Sequence, residues 1–292
     1  MMPNALKAHL IRIKPRQPRL LPDLVIPSIS LSRPQDSWQF SLTGHRESQR
    51  SVPFGRGRMR ASPAAGRMTS HLDYFVRPTP EAGTLQVPSF DGELPADCGL
   101  YIARRPVSRD ARGQQPEAPR IELAVPELSQ MRFEEHPDVI RRLCAPTCLS
   151  MVVSYFRRHS DFETIRRLSY NHSADAYGIW PQLIYASNRF GLHGAVLLFN
   201  SLQQLHRLIS SCIPVIVSLR FSDGRALNFP YGSTRGHMVV VRGFSDNMVI
   251  VNDPVQRHST RQLWPADVFL SFCVSSRVEL GGCGVGLAFW PG

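Results

Sequence analysis

Apolar positions along the 292-residue chain fall into two regimes. Up to about residue 124 they come in short runs cut by proline and glycine, and beyond it they take on regular periods. Residues 145–158 are apolar at helical spacing through Leu149, Val152, Val153 and Phe156, and end in Arg157 and Arg158, which suit a helix C-terminus. A second helix is predicted over 162–172 and a third over 181–190, the latter bracketed by Pro181 in its first turn and Gly191 just past its end. Ser201-Leu202-Gln203-Gln204 has the capping-box pattern and opens a fourth. Strands follow at 214–219, 237–244 and 248–252, with Ser245-Asp246-Asn247 as turn material that joins the last two into a hairpin. Segments 274–280 and 285–289 are expected to add edge strands. Helices placed ahead of an antiparallel sheet predict an α+β fold rather than a wound α/β one.

This pattern divides the chain into three regions. Residues 1–70 are rich in Arg, Pro and Ser, include Phe54-Gly55-Arg56-Gly57-Arg58 and show no sustained period, so a disordered basic segment is expected there. Residues 71–124, with β-like pieces at 72–76, 84–87 and 100–103, are expected to form a short β region or a linker. Residues 125–292 are the coherent domain. No apolar run approaches the ~18 residues of a membrane span, and Pro3, Pro15, Pro18, Pro22 and Pro27 interrupt any secretory segment. Neither a membrane span nor an export signal is therefore expected. The cytoplasm follows from that, with secretion left open if translation starts later, for instance at Met68.

Charge sharpens the division. Residues 1–70 hold twelve Lys and Arg against three acids, a net of +9, whereas residues 71–292 hold twenty-two against twenty, a net of +2. Because thirty-two of the thirty-four basic residues are arginine, the high isoelectric point reflects coding composition more than selection for anion binding. Three readings compete with plain disorder for the basic segment: a nucleic-acid-binding arm, a targeting segment, or sequence upstream of a later start. Nucleic acid is not expected as a partner. The cysteines at 98, 144, 148, 212, 273 and 283 are too sparse for a disulfide scaffold.

Of these cysteines, Cys144 stands at the start of the first predicted helix, where unpaired N–H groups and the macrodipole favour a thiolate. Cys148 lies one turn further in, where that help fades. A base and its orienting partner are available downstream: His237 begins the first hairpin strand and Asp253 follows the second. With the turn centred near Ser245 the two positions oppose each other on one face, so Asp253 can hold the imidazole tautomer that lets His237 take the thiol proton. A small buried cysteine and a strand histidine with a turn-forming aspartate are the plain structural alternatives. A soft-metal site at Cys144, Cys148 and His237 lacks a second Cys pair, and neither metal nor cofactor is expected.

Six pieces follow in order: Val125-Pro126-Glu127-Leu128-Ser129-Gln130-Met131, Cys144-Ala145-Pro146-Thr147-Cys148-Leu149-Ser150-Met151, Tyr177-Gly178-Ile179-Trp180-Pro181, Ile213-Pro214-Val215-Ile216-Val217-Ser218, the run from Gly236 through Phe244, and Asn252-Asp253-Pro254. Together they resemble the peptidase-like domain related to the bacteriocin-processing, double-glycine cysteine peptidases, family thirty-nine of the papain-like clan. The resemblance covers about residues 125–272. It implies a papain-like α+β domain with Cys144 as nucleophile, His237 as base, Asp253 as orienter and Gln130 as oxyanion donor. A peptide or protein is the implied substrate.

Two positions depart from the family pattern. Ala145 stands where Gly or Ser is usual and is expected to narrow the oxyanion site, and Leu143 stands where an aromatic residue or Asp is common and is expected to alter the cleft wall. Trp180 is expected in the core. With no membrane span or nucleotide-binding segment legible, a preference for Gly-Gly sites does not carry over. The sequence reads as a cysteine peptidase, the alternative being an inactive peptidase-like domain that binds peptides or acts as a scaffold.

Overall fold

In the chain's computed structural model, residues 120–221, 223, 232–274 and 283–292 are described, preceded by strand segments lying between residues 8 and 104. The architecture is α+β, as the order of elements predicts. Strands β1 (Ile121–Glu122), β2 (Leu192–Phe199), β3 (Val215–Phe221), β4 (Thr234–Ser245), β5 (Met248–Asn252), β6 (Arg261–Pro265) and β7 (Gly284–Pro291) form one antiparallel sheet. Its order is β2-β7-β3-β4-β5-β6, and β1 pairs with β4 just beyond the end of β3. Segment 285–289, predicted as an edge, is therefore central: β7 runs between β2 and β3. Gly284 and Gly286 hide this in the sequence, because their positions are filled by Phe199, Val215 and Leu197 from neighbouring strands.

Four helices cover the sheet in the order the periodicity predicts, with ends set by local chemistry. Helix α1 (Cys144–Arg157) buries Leu149, Val152 and Val153 against β4 and stops at Arg158, which is left-handed with φ 62°. Helix α2 (Phe162–Ser169) is opened by Asp161, whose carboxylate accepts the Thr164 N–H, and ends three residues early because Asn171 pairs with Ala176 in a bridge. Helix α3 (Trp180–Asn188) is buried along its length, with Trp180 in the core. Helix α4 (Leu202–Ser210) does not form the expected capping box: Ser201 makes no side-chain cap bond, and Gln204 reaches past it to accept the Asn200 N–H at 2.9 Å. A fifth, α5 (Ala266–Val274), has no counterpart in the sequence reading. Of the strand expected at 274–280, Val274 is helical and the rest lies outside the described residues.

Strands are also described inside the stretch expected to be disordered. The strand Asp23–Ser30 pairs with Gly99–Arg104 along its length and with Phe75–Arg77 at its start. Ile26 and Ile29 are buried, and the Ser28 hydroxyl accepts the Val196 N–H of β2 at 3.2 Å. Pro27 reads as a breaker, yet at that position the strand has a partner on one side only, and a one-sided strand tolerates a missing N–H.

Gly243 is where β1 crosses closest to β4. A methyl group there would lie 2.4 Å from the Ile121 carbonyl oxygen and 2.9 Å from the Glu122 Cα, both backbone atoms that cannot rotate aside. Gly243→Ala should destabilise the fold by about 1–3 kcal/mol in urea unfolding. Gly236→Ala, where an added methyl meets nothing within 4 Å, should stay within about 0.5 kcal/mol of the parent.

Candidate active site

Helix α1 begins at Cys144, which is half-buried. Leu143 before it supplies no side-chain cap, and its carbonyl accepts both the backbone N–H of Thr147 at 3.0 Å and its hydroxyl at 2.7 Å. Pro146 has no N–H. Among the described residues, no acceptor meets the N–H groups of Cys144 and Ala145, so the positive end of the helix is left open at the thiol. Leu143 itself is fully buried, so it packs in the core and does not form the cleft wall expected of it. Ala145 is buried beside Gly178, whose φ of +80° favours glycine; a methyl group at Gly178 would touch the Ala145 and Met238 side chains.

His237 and Asp253 meet in the interior. The ring Nε2 donates to Asp253 Oδ1 at 2.7 Å, with His237 4 % and Asp253 0 % exposed. The carboxylate is fully engaged: Oδ1 also accepts the Val255 N–H at 3.2 Å, and Oδ2 accepts Gln256 Nε2 at 3.2 Å. With Nε2 committed, Nδ1 is the nitrogen left for the hydrogen bond between His237 and the Cys144 side chain. Burial pulls the imidazole toward its neutral form. The Asp253 carboxylate, by charge and hydrogen bond, and then Cys144 outweigh it and raise the His237 pKa from 6.5 to about 10.

The hairpin brings these two residues together differently from the expected direct opposition. Its turn lies at Asp246 and Asn247 rather than at Ser245, since Ser245 pairs with Met248. Carried on regularly, that register would set Asp253 opposite Val240, on the face away from His237. A bulge at Arg242 shifts the pairing by one, so that Val240 faces Asn252 and Asp253 falls opposite Val239, on His237's face. The two catalytic candidates are thus diagonal neighbours.

A strap running from β1 to Met131 holds the segment after Asp253 in place. The Gln130 N–H donates to the Pro254 carbonyl at 2.8 Å and the Ser129 hydroxyl to the same oxygen at 3.3 Å. Glu127 Oε2 accepts four donors from the next turn: Ser259 Oγ, Thr260 N, Thr260 Oγ1 and Arg261 N. Thr260 in turn accepts the Asp253 N–H at 2.7 Å. Burial raises the Glu127 pKa, but these donors prevail and hold it below the ordinary carboxylate value. On the inner side, Asn252 donates to the Val125 and Pro126 carbonyls and accepts Arg242 Nη1 at 3.0 Å. Gln256, Glu127 and Asn252 were not assigned from the sequence; Glu127 and Asn252 had a signal, as members of the quoted Val125–Met131 and Asn-Asp-Pro pieces, and Gln256 had none.

Gln130 is buried on the same strap. Its Nε2 donates to the Ile140 carbonyl at 2.8 Å, and its Oε1 has no partner among the described residues. The structure therefore brings Gln130 to Pro254 and to Ile140, four residues before Cys144, with one amide hydrogen already used. Cys148 is fully buried, donates to the Met238 carbonyl at 3.2 Å, and has its thiol pKa pushed well up by burial and by the nearby Cys144 and Asp253. It is no nucleophile.

In the parent protein the His237–Asp253 pair stabilises fully below pH 6.5, the unfolded imidazole's value, and that contribution is lost as pH rises through about 10. Asp253→Asn removes the charge that holds the ring proton and leaves burial opposing it. The His237 Cε1 proton in NMR titration should then shift well below pH 10, and the fall in urea midpoint between pH 7 and 10 should flatten.

The model of the Peptidase_C39 like family matches residues 122–274. Among solved structures, a protein described as a C39-like peptidase from Bacillus anthracis aligns at a TM-score of 0.43 and 16 % identity, covering 60 % of this chain and 99 % of that one. A double glycine motif protease from an AMS/PCAT transporter, in complex with the leader peptide, aligns at 0.37 and 17 %, covering 60 % and 100 %. No curated protein matches the sequence. Among the described residues, no helix is long and apolar enough to cross a membrane. The family match spans more than half the chain, from the strap to the end of α5, and the chain belongs to the Peptidase_C39 like family.

Proposed function

We propose that the chain is a cysteine peptidase acting on peptide or protein substrates, with Cys144 as nucleophile, His237 as general base and acid, and Asp253 as orienter. The observation that carries this reading is the buried 2.7 Å bond from His237 Nε2 to Asp253, which commits that nitrogen and leaves Nδ1 for the thiol at the open end of α1. His237 takes the Cys144 proton and the thiolate attacks the substrate carbonyl carbon. The resulting oxyanion is met by the Cys144 N–H and by the second Nε2 hydrogen of Gln130. The C–N bond breaks as His237 returns the proton to the leaving amine, leaving a thioester on Cys144. Water, deprotonated by His237, attacks that thioester; the acid leaves and the thiol is restored.

The alternative, an inactive domain that binds peptides in the same groove, draws on Gln130, whose amide is already engaged with Ile140, and on the methyl group that Ala145 places beside Gly178. Thiol chemistry and turnover separate the two readings. Iodoacetamide should label Cys144 at pH 6–7 at least about ten-fold faster than an ordinary thiol, and His237→Ala should abolish the advantage. A proteome-derived peptide library should be cleaved by the parent and left intact by Cys144→Ala. An activated thiol with no cleavage would favour the binding domain, and an unactivated thiol would remove the mechanism.

A further inference from the structure

Directly behind the His237–Asp253 pair the surface opens into a cavity of about 500 Å³. Its walls are the two segments that run on from the candidate site: Met131, following Gln130, and Val255 to His258, following Asp253 and Pro254. Gln256 in that wall donates to Asp253 Oδ2, so one side chain separates the cavity from the carboxylate that orients His237.

The charges in the lining are unbalanced. Its ionisable members are Arg257 and His258, both exposed, and no hydrogen bond or ion pair engages either of them among the described residues. Three other arginines of the domain are matched by acids, Arg142 with Asp175, Arg166 with Glu135 and Arg261 with Glu122, whereas Arg132, next to Met131, is exposed and like Arg257 has no ion pair among the described residues. Glu127 on the strap has its Oε2 occupied by donors from residues 259–261 and forms no ion pair with Arg257. Beside the Arg257 guanidinium, Met131 and Val255 offer an apolar surface, and Gln262 a further amide.

Resting on the peptidase reading above, we propose that this cavity is a specificity subsite for a glutamate side chain of the peptide substrate. The carboxylate pairs with Arg257, and the two methylenes lie against Met131 and Val255. Because His237 hands its proton to the leaving amine, the chain departing past His237 and Asp253 is the part that reaches the cavity. The selected residue therefore lies on the C-terminal side of the cleaved bond.

The test separates binding from turnover by using full-length protein carrying Cys144→Ala. Two fluorescein-labelled peptide libraries, randomised at the outer positions and fixed at the centre as glutamate or glutamine, are compared by fluorescence anisotropy. The glutamate library should bind about five-fold more tightly at low salt, as a partly exposed ion pair allows, and the gap should shrink as salt is raised. In the background of Arg257→Gln, an exposed loop substitution, the two libraries should bind alike. Equal binding in the parent background, no binding of either library, or a gap that survives Arg257→Gln overturns the subsite. Because none of these readings requires hydrolysis, the two failures are told apart: an inactive thiol with a glutamate preference defeats the peptidase reading and the placement relative to a cleaved bond, whereas an active thiol without that preference defeats the subsite alone.

Discussion

A carboxylate with no exposed surface demands donors on all sides, and Asp253 imposes that demand on everything around it. Removing one partner from such a buried pair typically costs about 3–5 kcal/mol, far more than the intact pair contributes. The surrounding chain is arranged accordingly. The Val255 N–H and the Gln256 amide close the carboxylate from the loop side, Thr260 anchors its backbone, and Glu127 fixes Thr260. His237 completes the set. The same strap that stabilises this corner carries Gln130, so the support of Asp253 and the buried Gln130 amide are built on one piece of chain.

Helix and hairpin contribute in complementary ways. Helix α1 needs only an uncapped start to favour negative charge at Cys144, and Leu143 and Pro146 provide it: the first offers no side-chain acceptor and the second removes a competing N–H. Sheet strand β4 supplies His237, and the Cys148 thiol, bonded to the Met238 carbonyl, ties the helix to that strand one turn below Cys144. Cys148 is thus a structural tie between the two halves of the site.

What could be read from the sequence follows from how local each signal is. The helix start at Cys144, the hairpin and the partnership of His237 with Asp253 were legible because a few neighbouring residues define them. Strand β2 was missed because Gly194 and the outward Leu197 blur its alternation, and β7 was misplaced because its glycines make room for side chains from other strands. Pro27 hid a buried strand, since the sequence cannot tell a one-sided strand from a loop. The bond from Gln130 to Ile140 and the four donors on Glu127 join segments with no pattern in common, and only the folded chain displays them.

The bulge at Arg242 makes the spacing of the site a matter of parity. Strand side chains alternate with a period of two, so the pairing register, set by the turn and the bulge together, decides whether His237 and Asp253 share a face. Arg242 occupies the extra position and is itself secured, donating to the Leu123 carbonyl and to Asn252. Losing or gaining a single paired residue within either strand would turn the imidazole and the carboxylate to opposite faces, whereas a residue added in the turn, outside the ladder, would leave the Val240–Asn252 pairing and the shared face intact. Within the paired strands, then, length varies in steps of two.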